Sequence, residues 1–179
     1  VDSTNAKLFT ELKINVCLPR GEKILSKNIS PGTMQFESIS LQEFENMVST
    51  KNYVENYGGF TYLCIDIANG HMESLHQLIA TAKKDKGKKL VIMAGNIANP
   101  HAYIALSQAG ADFIRVGIGN GNGCLTTEQT GIGFPAASLI RECYAASLLL
   151  KNPAKIVADG GIKSYSDILK ALALGANYV

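Results

Sequence analysis

Four polar or charged residues stand inside or just after short apolar runs, where an unpaired charge is expensive to bury. Asp66 lies in Cys64-Ile65-Asp66-Ile67-Ala68-Asn69-Gly70-His71, and Asn96 ends Val91-Ile92-Met93-Ala94-Gly95-Asn96. Arg115 lies in Phe113-Ile114-Arg115-Val116-Gly117, and Asp159 ends Ile156-Val157-Ala158-Asp159 before Gly160-Gly161. If the runs are parallel strands, these residues share one rim of the sheet, where such folds assemble active sites. The competing reading is structural, ion pairing that holds the sheet together. A second signal is Gly117-Ile118-Gly119-Asn120-Gly121-Asn122-Gly123-Cys124. Alternating glycines let backbone N–H groups face an anion at close range, although the plain alternative is a flexible loop. The run ends in a cysteine, whose thiol beside such N–H groups and a helix start can ionise and act as a nucleophile. Thr126, two residues on, either hydrogen-bonds a leaving group or shapes a turn. Asp159-Gly160-Gly161 offers a carboxylate for sugar hydroxyls and N–H groups for phosphate. His71, His76 and His101 show no metal-ligand spacing, and no H-E-x-x-H run or clustered carboxylates occur, so metal-dependent hydrolysis is not expected.

Strands must carry these residues. Apolar, β-branched runs at Ile14–Leu18, Thr33–Ile39, Tyr62–Ile67, Lys89–Ala94, Asp112–Ile118, Lys155–Ala158 and Asn177–Val179 read as strands buried on both faces. Helical patterns lie between them at Leu41–Val48, Met72–Lys83, Pro100–Gln108, Phe134–Leu150 and Tyr165–Leu174. Ser166-Asp167 is expected to cap or begin the last helix. Strand–helix alternation implies parallel strands. Gln108-Ala109-Gly110-Ala111-Asp112 and Ala173-Leu174-Gly175-Ala176-Asn177 repeat one helix–glycine–strand turn. The expected fold is α/β, a (β/α)₈ barrel incomplete at both ends, running from its second strand to the start of its eighth as one domain over 1–179. A doubly wound open sheet is the alternative. The stretch from Arg20 to Thr33 is short for a crossover containing a full helix.

The chain has 179 residues, enough for one core. It is 46% hydrophobic and 18% charged, which excludes a disordered or coiled-coil chain. Its formal charge of +2 gives no field that would favour nucleic acid or an anionic membrane. The apolar runs fall far short of the about 20 residues a membrane span needs. The polar opening Val1-Asp2-Ser3-Thr4-Asn5 is unlike a signal peptide. Four scattered cysteines, none in a C-x-x-C pair, suit a reducing, cytoplasmic setting, with Cys17, Cys64 and Cys143 read as core. The run Lys83–Lys89 reads as a solvated helix end.

Taken in order, Ile65–His71, Ile92–Asn96, Gly110–Asp112 through Val116–Gly119, Cys124 and Ala158–Ile162 resemble the IMP dehydrogenase/GMP reductase family. The resemblance runs from about Tyr62 to Val179 and is thinner before Tyr53. It implies a (β/α)₈ barrel, a homotetramer, that binds a purine nucleoside monophosphate and a nicotinamide cofactor. Cys124 would attack purine C2, with Thr126 beside it as the second catalytic residue. Asp159 would hold the ribose, and Gly121, Asn122, Gly123, Gly160 and Gly161 would surround the phosphate. Asp66, Asn69, Asn96, Gly117 and Gly119 would line the cofactor side. In the dehydrogenase branch, carbonyls of Gly119, Gly121 and Cys124 would hold K⁺. Thr130-Gly131-Ile132-Gly133-Phe134-Pro135 resembles the reductase pattern T-G-x-G-[YF]-P, and the short Arg20–Thr33 interval leaves no room for the dehydrogenase's regulatory domain pair. The resemblance therefore implies NADPH-dependent reduction of GMP to IMP. NAD-dependent oxidation of IMP is the alternative, and a nucleotide-binding pseudoenzyme is a third. Three positions depart from the family pattern: Asn120 replaces a proline, Asn122 a serine and Thr127 an arginine.

Overall fold

The computed structural model describes residues 1–23, 32–54, 59–121 and 125–179. Helix α1 (Ala6–Glu11) is followed by β1 (Val16–Leu18), β2 (Gln35–Ile39), α2 (Leu41–Thr50), β3 (Thr61–Asp66) and α3 (Glu73–Lys86). Then come β4 (Leu90–Ile97), α4 (Pro100–Ala109), β5 (Phe113–Val116), α5 (Thr126–Thr130), α6 (Ala136–Ser147), β6 (Lys155–Ala158) and α7 (Tyr165–Ala173). The six strands form one sheet in the order β1-β2-β3-β4-β5-β6. All pairings are parallel, from Val16↔Gln35 to Val116↔Ala158. A doubly wound sheet reverses its strand order at a switch point. This one never does, so the open-sheet alternative falls and the arrangement is a parallel half-barrel. The expected strand at Asn177–Val179 is present as a single parallel bridge, Val157↔Tyr178, beside β6.

Strand periodicity sends alternate side chains to two different interiors. One face packs Leu63, Ile65, Ile92, Ala94, Ile114 and Ile156 against Leu75 and Ile79 of α3, Leu106 of α4 and Leu139 of α6. The other face carries Phe36, Cys64, Met93 and Phe113. Phe36 meets Tyr62 and Phe113 edge to face, with centroids 5.6 and 5.5 Å apart. Both faces are thus apolar, which is why the strand sequences lack polar alternation.

Local sequence sets the helix starts. Ser40 and Glu43 form a reciprocal capping box on α2. Asn99 caps α4 ahead of Pro100. Ser164, not Ser166, caps α7, its Oγ accepting from Asp167 N at 3.3 Å. The run Lys83–Lys89 is not wholly solvated: Lys83 Nζ donates to Leu90 O at 2.6 Å and to Asp112 Oδ2 at 2.7 Å. The same carboxylate oxygen accepts from Ile92 N at 2.7 Å, so one ammonium ties the end of α3 to the starts of β4 and β5. Tyr103 is fully buried on α4 and donates to Ala154 O at 2.6 Å, fixing the approach to β6. Tyr103→Phe should strand that carbonyl and lower unfolding stability by about 1–3 kcal/mol, read as a drop in denaturation midpoint. Among the described residues, no helix is long and apolar enough to cross a membrane.

Candidate functional site

The four residues singled out at strand ends do converge. Asp66 is the last residue of β3, Asn96 is next to last in β4, Arg115 lies in β5 and Asp159 directly follows β6. Parallel pairing with register Asp66↔Gly95↔Arg115↔Val157 brings them to the carboxyl rim. Arg115 is the centre of the cluster. Its Nη1 donates to Asp66 Oδ1 at 2.8 Å, and its Nη2 and Nε donate to Asp159 Oδ2 at 2.8 and 3.1 Å. Nη1 also reaches Cys64 Sγ at 3.6 Å. Asn96 Nδ2 donates to the same Asp159 oxygen at 2.6 Å and to Gly117 O at 2.7 Å. Burial works against the guanidinium charge, but Asp159, Cys64 and Asp66 outweigh it and raise the pKa of Arg115. The ion pairing considered as a structural role is therefore real. It leaves the two carboxylate side chains about a third exposed, at 35% and 34%.

Those carboxylates border a cleft of about 360 Å³, within the range of small-molecule sites. Asn96, Gly117, Gly119, Gly121, Thr126 and Gly160 line it with them. Gly161 borders a neighbouring hollow that also holds Asp159 and Lys170. Asn69 follows the cleft-lining Ala68 without itself lining the cleft, and its Oδ1 accepts from His71 N at 3.1 Å. Asn122, Gly123 and Cys124 lie outside the described residues. The glycine loop after β5 and the turn after β6 touch, Gly160 lying beside Gly121 N and Gly161 beside Asn120 O. Among the described residues, no group of three His, Cys, Asp or Glu side chains could hold a metal ion.

Arg20 escaped the sequence reading, and Asn120 was named there only as a departure from the family pattern. Arg20 follows β1 and pairs with Asp66 Oδ2 at 3.5 Å, so the strand-end rule applied to the first strand would have found it. Asn120 lines the cleft and holds a buried Nδ2 with no hydrogen-bond partner among the described residues. Among the described residues the one contact of Asp66 Oδ2 is the long one to Arg20, which leaves an acceptor that could take a hydroxyl of a nicotinamide cofactor. Asn96 has its amide nitrogen committed to Gly117 and Asp159, which leaves its carbonyl for a ligand.

The concave face below the rim also corrects one expectation. Cys64 and Cys143 are buried, but Cys17 is exposed. A hydrogen bond with Cys64 pulls the Cys17 thiol down to about 7, with Ser38 Oγ 3.3 Å away adding to it. The same contact and burial push Cys64 up, and burial pushes Cys143 up to about 12. Thiolate is the reactive form. Iodoacetamide should therefore label Cys17 with a rate that rises through about pH 7 and leave Cys64 and Cys143 unmodified at that pH. Peptide mass mapping across pH 5–9 would check this order against the about 8.5 of a free cysteine.

A family model described as the IMP dehydrogenase/GMP reductase domain matches residues 45–179. The GMP reductase 2 of Bos taurus is 32% identical over 176 residues, which are 96% of this chain and 48% of that protein. The GMP reductase of Caenorhabditis elegans is 32% identical over 98% of this chain and 48% of its own length. The inosine-5'-monophosphate dehydrogenase of Chlorobaculum parvum is 42% identical over 121 residues, 68% of this chain and 24% of that protein. Among solved structures, the inosine 5' monophosphate dehydrogenase of Legionella pneumophila superposes with a TM-score of 0.73 at 30% identity, covering 100% of this chain and 53% of that one. The chain thus spans about half the length of the reductases it matches. The family model, the sequence matches and the superposition agree, and the chain belongs to the IMP dehydrogenase/GMP reductase family.

Proposed function

We propose that this chain forms the nucleotide-handling part of a GMP reductase, which converts GMP to IMP and ammonia with NADPH. The observation that carries the reading is Asp159. Three donors engage its Oδ2, while Oδ1 meets no donor among the described residues and the side chain lines the cleft. A carboxylate oxygen so held suits a ribose hydroxyl. The touching turns, at Gly121 and at Gly160-Gly161, then supply N–H groups for the phosphate, with Asn122 and Gly123 completing that side. Asp66, Asn69, Asn96, Gly117 and Gly119 are assigned to the cofactor side, with the carbonyl of Asn96 as its contact.

In this mechanism Cys124 Sγ adds as thiolate to purine C2. The C2 amino group takes a proton and leaves as ammonia, Thr126 standing beside it. The product is a purine joined to the enzyme through a C–S bond. NADPH, when bound, supplies the hydride that replaces sulfur at C2, and the thiolate is regenerated. Covalent attachment divides one difficult displacement into two easier steps.

Two features favour the reductase branch. Reductase relatives match 96% and 98% of the chain, and Thr130–Pro135 has the reductase pattern. The 42% identity to a dehydrogenase favours the second reading, NAD-dependent oxidation of IMP, in which K⁺ sits on the Gly119, Gly121 and Cys124 carbonyls. Either branch is proposed to act as a cytoplasmic homotetramer. The test is to supply the complete protein with GMP and NADPH, and separately with IMP and NAD. NADPH oxidation with equimolar ammonia is the expected result. NADH formation from IMP with no reaction on GMP would transfer the protein to the dehydrogenase branch. GMP binding without either reaction would leave a pseudoenzyme.

A further inference from the structure

We infer that Arg115 is a positioning residue for ribose recognition, acting through Asp159 rather than on the nucleotide itself. The inference rests on the nucleotide reading of the cleft. Arg115 comes from β5, Asp66 from β3 and Asp159 from the end of β6, so one guanidinium spans a rim four strands wide. Its Nε and Nη2 both point to one oxygen of Asp159, and Asn96 Nδ2 converges on that oxygen from β4. A carboxylate held through Oδ2 by three donors cannot turn about its Cβ–Cγ bond without breaking all of them. Oδ1 is thereby held in a fixed direction on a side chain that lines the cleft, and no donor among the described residues occupies its lone pairs.

A further guanidinium contact, Nη1 to Asp66 Oδ1 at 2.8 Å, ties the other carboxylate to the same cation. The two aspartates stand on either side of one positive charge, which offsets their mutual repulsion. Lysine could replace the charge but not the fork, because an ammonium lacks the planar, fixed donors that reach two carboxylates at once. The arrangement predicts a defect with a particular signature. A merely structural loss weakens every ligand of the cleft alike. Loss of an aimed Oδ1 weakens only ligands that carry ribose hydroxyls.

The experiment compares binding of GMP and 2',3'-dideoxy-GMP by calorimetry to the complete parent protein, Arg115→Gln, Arg115→Lys, Asp159→Asn and the double variant Arg115→Gln/Asp159→Asn. The parent should prefer GMP by about tenfold or more, the usual scale for a hydrogen bond to a charged group. Arg115→Gln and Asp159→Asn should each bring the two ligands to within about twofold, and the double variant should add little, as expected for residues acting through one interaction. Arg115→Lys should recover part of the preference. Should Arg115→Gln fail to fold, Arg115→Lys decides: a preference as large as the parent's overturns the inference. So does a folded Arg115→Gln that keeps the preference while Asp159→Asn loses it, and the nucleotide reading then survives. A parent that binds both ligands equally, or neither, overturns the inference together with the ribose assignment of Asp159.

Discussion

Cys124→Ala in the complete protein is expected to bind GMP within about tenfold of the parent, ~1.4 kcal/mol, yet to release no ammonia. The two measurements separate because the sulfur is asked to do something that binding groups cannot. Nucleotide affinity is assigned to Asp159 and the glycine turns, which the substitution leaves in place. The chemical step is assigned to a bond between Sγ and C2, for which an alanine methyl offers no substitute. Removing a group that acts only beyond the ground state lowers kcat without raising KM. The expected loss is at least about a thousandfold, in line with other covalent nucleophiles. Gly121 and Thr126, on either side of the Asn122–Cys124 segment, line the same cleft as Asp159. The other cysteines serve as controls. Cys64 and Cys143 are buried, so their alanine variants should act through stability at about 1 kcal/mol each. Cys17 is exposed, and its replacement should cost less. Parent-rate NADPH consumption by Cys124→Ala would remove the covalent mechanism while leaving the binding site intact.

The rim cluster was legible because burial makes polar residues conspicuous. A carboxylate such as Asp66, set among Cys64, Ile65 and Ile67, has to be paired or used, and strand ends gave its address. What sequence could not supply was the pairing itself. Arg115 bridging β3 and β6, and Asn96 joining Asp159 to Gly117, depend on barrel curvature rather than on any local pattern. The same limit explains Lys83. It reads as one of several lysines in a basic run, but only the packed sheet brings Asp112, 29 positions away, within reach. Two elements were missed for another reason. Helix α1 buries only Ala6 and Thr10, and α5 is the five-residue Thr-Thr-Glu-Gln-Thr. Neither has an apolar stripe long enough to register as helical. The α7 boundary shows capping at work: Ser164 and Ser166 are both suitable caps, and Ser164 wins because Asp167 stands three residues on, at N3.

Gly161→Val is the second substitution expected to have a large effect, and its outcome discriminates between a binding turn and an ordinary one. Gly161 has φ +76°, a conformation a β-branched side chain rarely adopts, and a Cβ there would stand 2.9 Å from Asn120 O. The valine must therefore both strain its own backbone, by about 1–3 kcal/mol, and push away the loop that carries Asn120 and Gly121. That loop and the Gly160-Gly161 turn are the two N–H surfaces assigned to the phosphate, so parting them removes donors from both sides at once. GMP affinity should fall by tenfold or more, given about 1.4 kcal/mol for each tenfold and several N–H donors displaced. Gly87→Val separates strain from site. Gly87 has φ +57°, nothing within 4 Å of its added Cβ, and a position at the end of α3, at the opposite rim. It should lose stability without losing affinity per folded molecule. The decisive comparison is the ratio of nucleotide affinity to folding stability in the two variants. If Gly161→Val lowers stability as Gly87→Val does and binds GMP like the parent, the phosphate does not sit between these turns.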